Sequence, residues 1–205
     1  MELVKAIEQR RTVRRFSSAP VAAESLKELA RRAGLAPSIN NSQPWKFIAV
    51  TRAEVIREMA AAVHQRVSQL FAGAEKENIL RTVDHFSTVF EHAPAVLFVA
   101  ARPYQAIADE IGSGETGHDA LNAMRRHPDL QSVGAAVQNI LLSATELGLG
   151  ACWLSGLMVA RPELEKVLGL EQPWELVTAI AIGTPESTPV PKQHPPVEQI
   201  FTLID

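Results

Sequence analysis

Four arginines fall within six residues near the start of the chain: Arg10, Arg11, Arg14 and Arg15, with Thr12 among them. Guanidinium groups this close repel one another unless carboxylates or an anion neutralise them. A phosphate suits the second case, because arginine offers planar, bidentate donors and keeps its charge at any working pH. Thr12 adds a hydroxyl donor. The same cations also complement the C-terminal end of an opening helix, or stay solvated; these residues alone leave both readings open.

A second constellation spans Ala36-Pro37-Ser38-Ile39-Asn40-Asn41-Ser42-Gln43-Pro44-Trp45. Amide and hydroxyl side chains here offer donors and acceptors together. A heteroaromatic edge that alternates the two, such as a flavin pyrimidine, needs that ambivalence. The plainer alternative is a turn in which Ser and Asn bond their own backbone. A third segment, Gly148-Leu149-Gly150-Ala151-Cys152-Trp153-Leu154-Ser155-Gly156, has small residues that let backbone approach a partner or flat ligand closely. Cys152 reads as a core thiol with no adjacent cation to lower its pKa, and core packing is the plain reading of Trp153 as well.

Other chemistries lack their residues. No GxGxxG or GxxxxGK[ST] run occurs, and the six histidines, His64, His85, His92, His118, His127 and His194, fall at no HExxH or zinc-ligand spacing. No GxSxG elbow supports a hydrolase. A lone cysteine excludes an internal disulfide framework. The net charge of −3 argues against a general nucleic-acid or membrane-surface binder. The N-terminal residues mix acids with bases ahead of no long apolar run, so a cytoplasmic address is expected.

The elements that must position these residues follow from periodicity. Helices are expected near the N-terminus and over 22–34, 54–71, 78–90, 133–147 and 163–168. Strands are expected at 45–50, 94–100, 148–154 and 175–182. The stretch 102–129 has weak periodicity and reads as an excursion, a lid or an interface segment. Beyond Gly183, Pro185, Pro189, Pro191, Pro195 and Pro196 predict an extended tail. One domain over 1–205 of α/β or α+β layer type is the expectation.

In order and spacing, three blocks resemble the FMN-dependent nitroreductase family. Arg10-Arg11-Thr12-Val13-Arg14-Arg15-Phe16 is similar to its opening R-R-S-x-R-x-F, and Ala36-Pro37-Ser38 through Asn41, Gln43, Pro44 and Trp45 to A-P-S-x-x-N-x-Q-P-W. The third runs from Gly134-Ala135-Ala136 and Gln138-Asn139 into Gly148-Leu149-Gly150, with Ala181-Ile182-Gly183-Thr184-Pro185 later. The resemblance implies an α+β fold with a mixed central sheet flanked by helices, in an intertwined homodimer that holds FMN between subunits. It implies that Arg10, Arg11 and Thr12 face the phosphate and ribityl chain, and that Arg14 lies beside flavin N1. Pro37, Ser38, Asn41 and Gln43 would come from the other subunit, Leu154, Ser155 and Gly156 would run past flavin N5, and Lys192 and His194 would return to the phosphate. The implied activity is electron transfer from NAD(P)H to a nitroaromatic, quinone or enone by ping-pong turnover. Reductive dehalogenation, flavin breakdown and a non-catalytic flavin module are the alternatives. Two positions depart from the usual pattern: His194 puts an imidazole where a guanidinium is common, making charge there pH-dependent, and Ser132 stands where some relatives carry an acid.

Overall fold

In the computed structural model, which describes residues 2–73, 76–110, 117–188, 190 and 193–204, a four-stranded sheet is sandwiched between two helical layers. The strands are β1 (Trp45–Val50), β2 (Ala95–Ala101), β3 (Gly150–Leu154) and β4 (Glu175–Gly183), in the order β1-β2-β4-β3. These strands pair antiparallel throughout. Parallel pairing enters through an isolated bridge from Thr12 to Ala151 on β3. The helices are α1 (Leu3–Gln9), α2 (Ala23–Ala33), α3 (Ala53–Leu70), α4 (Glu77–Ser87), α5 (His118–Met124), α6 (Pro128–Glu146) and α7 (Arg161–Leu168). The α+β expectation holds.

β2 is buried along its whole length, which is why 94–100 reads as an unbroken apolar run. Its side chains alternate between two cores, as a period of two requires. Ala95, Leu97 and Val99 face a core with Leu29 of α2 and Val137 and Ile140 of α6. Val96 and Phe98 face another with Met59 and Val63 of α3 and Leu164 of α7. Arg32 joins the first layer at its rim, donating to Glu28 one turn back and to Glu146 of α6, both at 2.7 Å. Bonds from Arg31 and Arg32 hold the Glu28 carboxyl down at about 2.

Several expected boundaries shift, the largest at α6, which begins at Pro128 and not at Val133 because Pro128 occupies its first turn. The helix anticipated over 78–90 ends at Ser87, and a separate 3-10 turn, Val89–His92, carries Phe90 into the core. The strand anticipated from Gly148 begins at Gly150, because Gly148 takes a left-handed φ of 73° after α6. Of the 102–129 excursion, residues 102–110 and 117–129 are described, and these are anchored to the body. Tyr104 and Ala106 are buried, the Tyr104 hydroxyl donates to Asn122 (3.2 Å), and Asn122 donates to Asp129 (3.2 Å). Beside them Asp109 accepts from the Ala106 N–H and pairs with His118, both at 2.8 Å. Among the described residues no helix is long and apolar enough to cross a membrane.

Candidate functional site

The arginine block is clamped, not trailing. The Val13 N–H donates to Ala151 O at 3.0 Å, the Ser17 N–H donates to Thr184 O at 2.9 Å, and Phe16 bridges Pro185. Gly150 makes this docking possible: a Cβ there would lie 2.7 Å from Val13 Cβ. Arg10, Arg11 and Thr12 are half-buried; Arg14 and Arg15 are exposed. Among the described residues none of the four arginines has a carboxylate partner. Arg11 donates to the backbone carbonyls of Glu8 and Arg10. The uncompensated charge anticipated from the sequence is therefore present in the fold.

Arg14 reaches a cavity of about 400 Å³ whose floor is Cys152, Trp153, Leu154, Ser155 and Gly156. The other wall is α4, through Thr82, Phe86 and Ser87. The Arg14 guanidinium carbon sits 5.5 Å from the centre of the Phe86 ring, a cation–π distance. Ser87 presses so closely on Gly156 that a Cβ there would fall 2.8 Å from Ser87 Oγ. The fold thus brings Arg14 together with Leu154, Ser155 and Gly156. The α4 residues were not legible as site residues, since Phe86 shares the helical spacing of Ile79 and Val83 and spacing alone reads as a core stripe.

Cys152 and Trp153 separate here. Cys152 is buried, and burial pushes its thiol up although Arg14 opposes the shift. The expectation of no nearby cation is corrected, yet the thiol stays protonated because desolvation outweighs that charge. Trp153 is half exposed, not core. Its indole N–H donates to Thr178 Oγ1 at 2.8 Å, and Thr178 donates to Leu154 O at 2.6 Å, fixing the turn that follows β3. Beyond Trp153 a second, mainly apolar cavity of about 400 Å³ opens among Leu130, Val133, Gly134 and Val177.

The amide loop lies elsewhere. It precedes β1, while the arginine block lies along β3, so the two occupy opposite edges of the sheet. Three strand intervals separate those edges, about 14 Å. Within one chain Pro37, Ser38, Asn41 and Gln43 do not line the Arg14 cavity. The loop is held under strain: Asn40, Asn41 and Gln43 have φ of 50°, 50° and 44°. Ser38 Oγ accepts the Gln43 N–H at 3.0 Å and the Gln43 amide donates to Asn41 at 3.3 Å, so part of the loop bonds itself. Pro37, Asn41 and Gln43 nonetheless stand exposed, and Ser42 Oγ is buried with no partner. Ser132 ties the loop to the start of α6, because its hydroxyl accepts the Ile39 N–H at 3.0 Å and donates to Pro128 O at 2.6 Å.

Of the pair in the tail, Lys192 lies outside the described residues. His194 is exposed and touches no polar or ring group among the described residues. The tail around it leaves Val197, Ile200, Phe201, Leu203 and Ile204 exposed.

Comparisons with known proteins converge on one group. The chain aligns over its whole length, and over the whole of the other chain, with the crystal structure of a BluB-like flavoprotein from Clostridium difficile 630, at 30% identity and a TM-score of 0.89. It is 25% identical over 201 residues to the Bacillus subtilis protein YfhC, which bears the name of a putative NAD(P)H nitroreductase, covering 96% of this chain and 91% of that one. A nitroreductase with bound FMN from Desulfitobacterium hafniense shares the fold at a TM-score of 0.76, with 24% identity and full coverage of both chains. The Nitroreductase family profile matches residues 7–184, and the chain belongs to that family.

Proposed function

We propose that this protein is an FMN-dependent oxidoreductase of the cytoplasm, a single domain over 1–205 that passes electrons from NAD(P)H to a small oxidant such as a nitroaromatic, quinone or enone. The observation that carries this reading is a fixed cation, Arg14, with no carboxylate partner among the described residues, lining the same cavity as the Leu154–Gly156 turn. The residues fit the cofactor by their donor chemistry. Arg10, Arg11 and Thr12 suit a phosphate and ribityl chain, and the strained loop with its orphaned Ser42 hydroxyl suits a polar ring edge.

The reading requires two chains. Arginine block and amide loop sit on opposite edges of one sheet, so a flavin touching both lies between protomers. The tail supports a swapped dimer, since five large apolar side chains between Val197 and Ile204 are uncovered on their own chain. A partner covering them also gives Lys192 and His194 a route to the phosphate.

Bound FMN supplies hydride-transfer chemistry at its N5 atom. The chain's own contribution is binding and electrostatics. Arg14 would hold the pyrimidine edge of the flavin, and its positive charge would favour the reduced form. Leu154, Ser155 and Gly156 would hold the flavin ring, and the Trp153–Thr178–Leu154 hydrogen bonds stiffen that turn. Phe86 and Thr82 bound the space left for donor and oxidant, which use it in turn, and Cys152 takes no part as a nucleophile. The purified protein is expected to be yellow and to bleach with NADH or NADPH. Arg10→Ala removes a charge-assisted phosphate contact worth about 1.5–3 kcal/mol, so its Kd for flavin rises roughly tenfold or more and it loses flavin on purification. A wild-type protein without a flavin spectrum, or an Arg10→Ala variant with full flavin content, contradicts the assignment.

A further inference from the structure

α4 is held differently from its neighbours. α3 buries Ile56, Met59, Ala60, Val63 and Val67, whereas α4 buries only Ser87 along its length. Its apolar hold on the core is through Leu80 and Val83, both only half-buried, and a helix packed this lightly belongs to the easily opened part of a structure. It is nonetheless the wall that carries Thr82 and Phe86 over the Arg14 cavity. Its most specific tether is polar. His64 on α3 puts Nδ1 2.7 Å from Asp84 of α4, and Nε2 3.4 Å from Glu91 in the turn after α4.

We propose that His64 is a positioning residue: by bridging Asp84 and Glu91 with both ring nitrogens it pins α4 over the cavity, fully when the imidazole carries two protons. The reason is donor count. A neutral imidazole has one N–H, so one of the two carboxylates faces a lone pair; the imidazolium donates to both. The surroundings favour that form. Burial alone disfavours charge on His64, but the bonds to Asp84 and Glu91 outweigh it and raise its pKa above the ordinary histidine value. Arg81 lines the same cleft from α4 as Asp84, and His92 Nε2 lies 3.9 Å from the same Glu91 oxygen, Oε2, that His64 approaches. The 3-10 turn Gly156–Ala160 and α7, also packed on α3, add no charge among those acting on His64.

The sign is fixed by that upward shift. The clamp is complete below the unfolded-state histidine pKa of about 6.5 and is lost as pH rises through the higher folded value. Access to the cavity therefore loosens on the alkaline side. The inference rests on reading that cavity as the flavin site, but the clamp itself is measurable apart from it.

The experiment is hydrogen exchange of the α4 amides between pH 6 and 8.5 in the flavin-loaded protein, corrected for intrinsic rates and referenced to α6. Wild type is expected to lose about fivefold in protection, the equivalent of one hydrogen bond. His64→Gln has one amide nitrogen to donate, so its α4 is weakly protected at both pH values. Glu91→Gln restores the match with a neutral ring, since its amide donates to the Nε2 lone pair; its α4 stays protected and loses the pH dependence. The KM for the oxidant follows the same pattern, rising with pH in wild type and not in Glu91→Gln. Equal pH dependence in wild type and Glu91→Gln, or flat exchange in wild type, overturns the clamp. Flavin content is read on the same samples: a wild-type protein without flavin fails the reading of the cavity, whereas a loaded protein with flat exchange fails the clamp alone.

Discussion

The two edges of the sheet present opposite chemistry. Along β3 the edge is cationic and rigidly docked, with Val13 and Phe16 stitched to β3 and to the segment after β4, and four guanidinium groups that meet no carboxylate among the described residues. Ahead of β1 the edge is uncharged, amide-rich and strained, with three departures into positive φ at Asn40, Asn41 and Gln43. Neither edge is a flavin site by itself: one lacks a partner for a polar ring edge, the other lacks charge for a phosphate. On the proposed reading each edge is half of a composite, and each protomer would lend a different half to its neighbour.

The largest effect is expected from separating the arginine block from β3. Gly150→Val places a branched side chain where Val13 already sits 2.7 Å from the Cβ position. It should cost about 1–3 kcal/mol of stability through overpacking and leave the protein without flavin. Thermal denaturation and the visible spectrum check both, and a yellow variant of wild-type stability would show that the docking is dispensable. At the other edge, Ser132→Ala frees the Ile39 N–H and is expected to cost about 1 kcal/mol. Flavin affinity should fall severalfold by fluorescence titration, while the β3 edge stays intact to proteolysis. The smallest change is Asn40→Gly, which relieves a left-handed φ in a residue not assigned to the ligand. Stability should rise by less than about 1 kcal/mol with flavin retained, as read by urea denaturation.

Legibility in the sequence differs between the same two edges. β2 and β4 were readable because their apolar runs are buried on both faces, and α6 because Val133, Val137, Ile140 and Ala144 follow a strict helical period. The arginine block was visible as unbalanced charge. The functional meaning of the amide loop came from the family resemblance, because Ser38 and Gln43 do bond one another, as an ordinary turn would. Phe86 and Trp153 were hidden for a related reason: an aromatic at core-like spacing reads the same whether it faces the interior or walls a cavity. Asp84 and Glu91 lie 20 and 27 residues beyond His64, so only the packing of α3 against α4 and the following turn reveals the three as a cluster.

The composite site is tested most directly by mixing subunits. Arg14→Ala and Gln43→Ala are each expected to give protein poor in flavin. Unfolded and refolded together in equal amounts, half of the dimers become hybrids, and each hybrid has one site built from intact Arg14 and intact Gln43 on different chains. Flavin content should then recover to about one quarter of the wild-type level. No recovery on mixing would mean that both residues serve one site within the same chain, or none, and the shared site would be wrong.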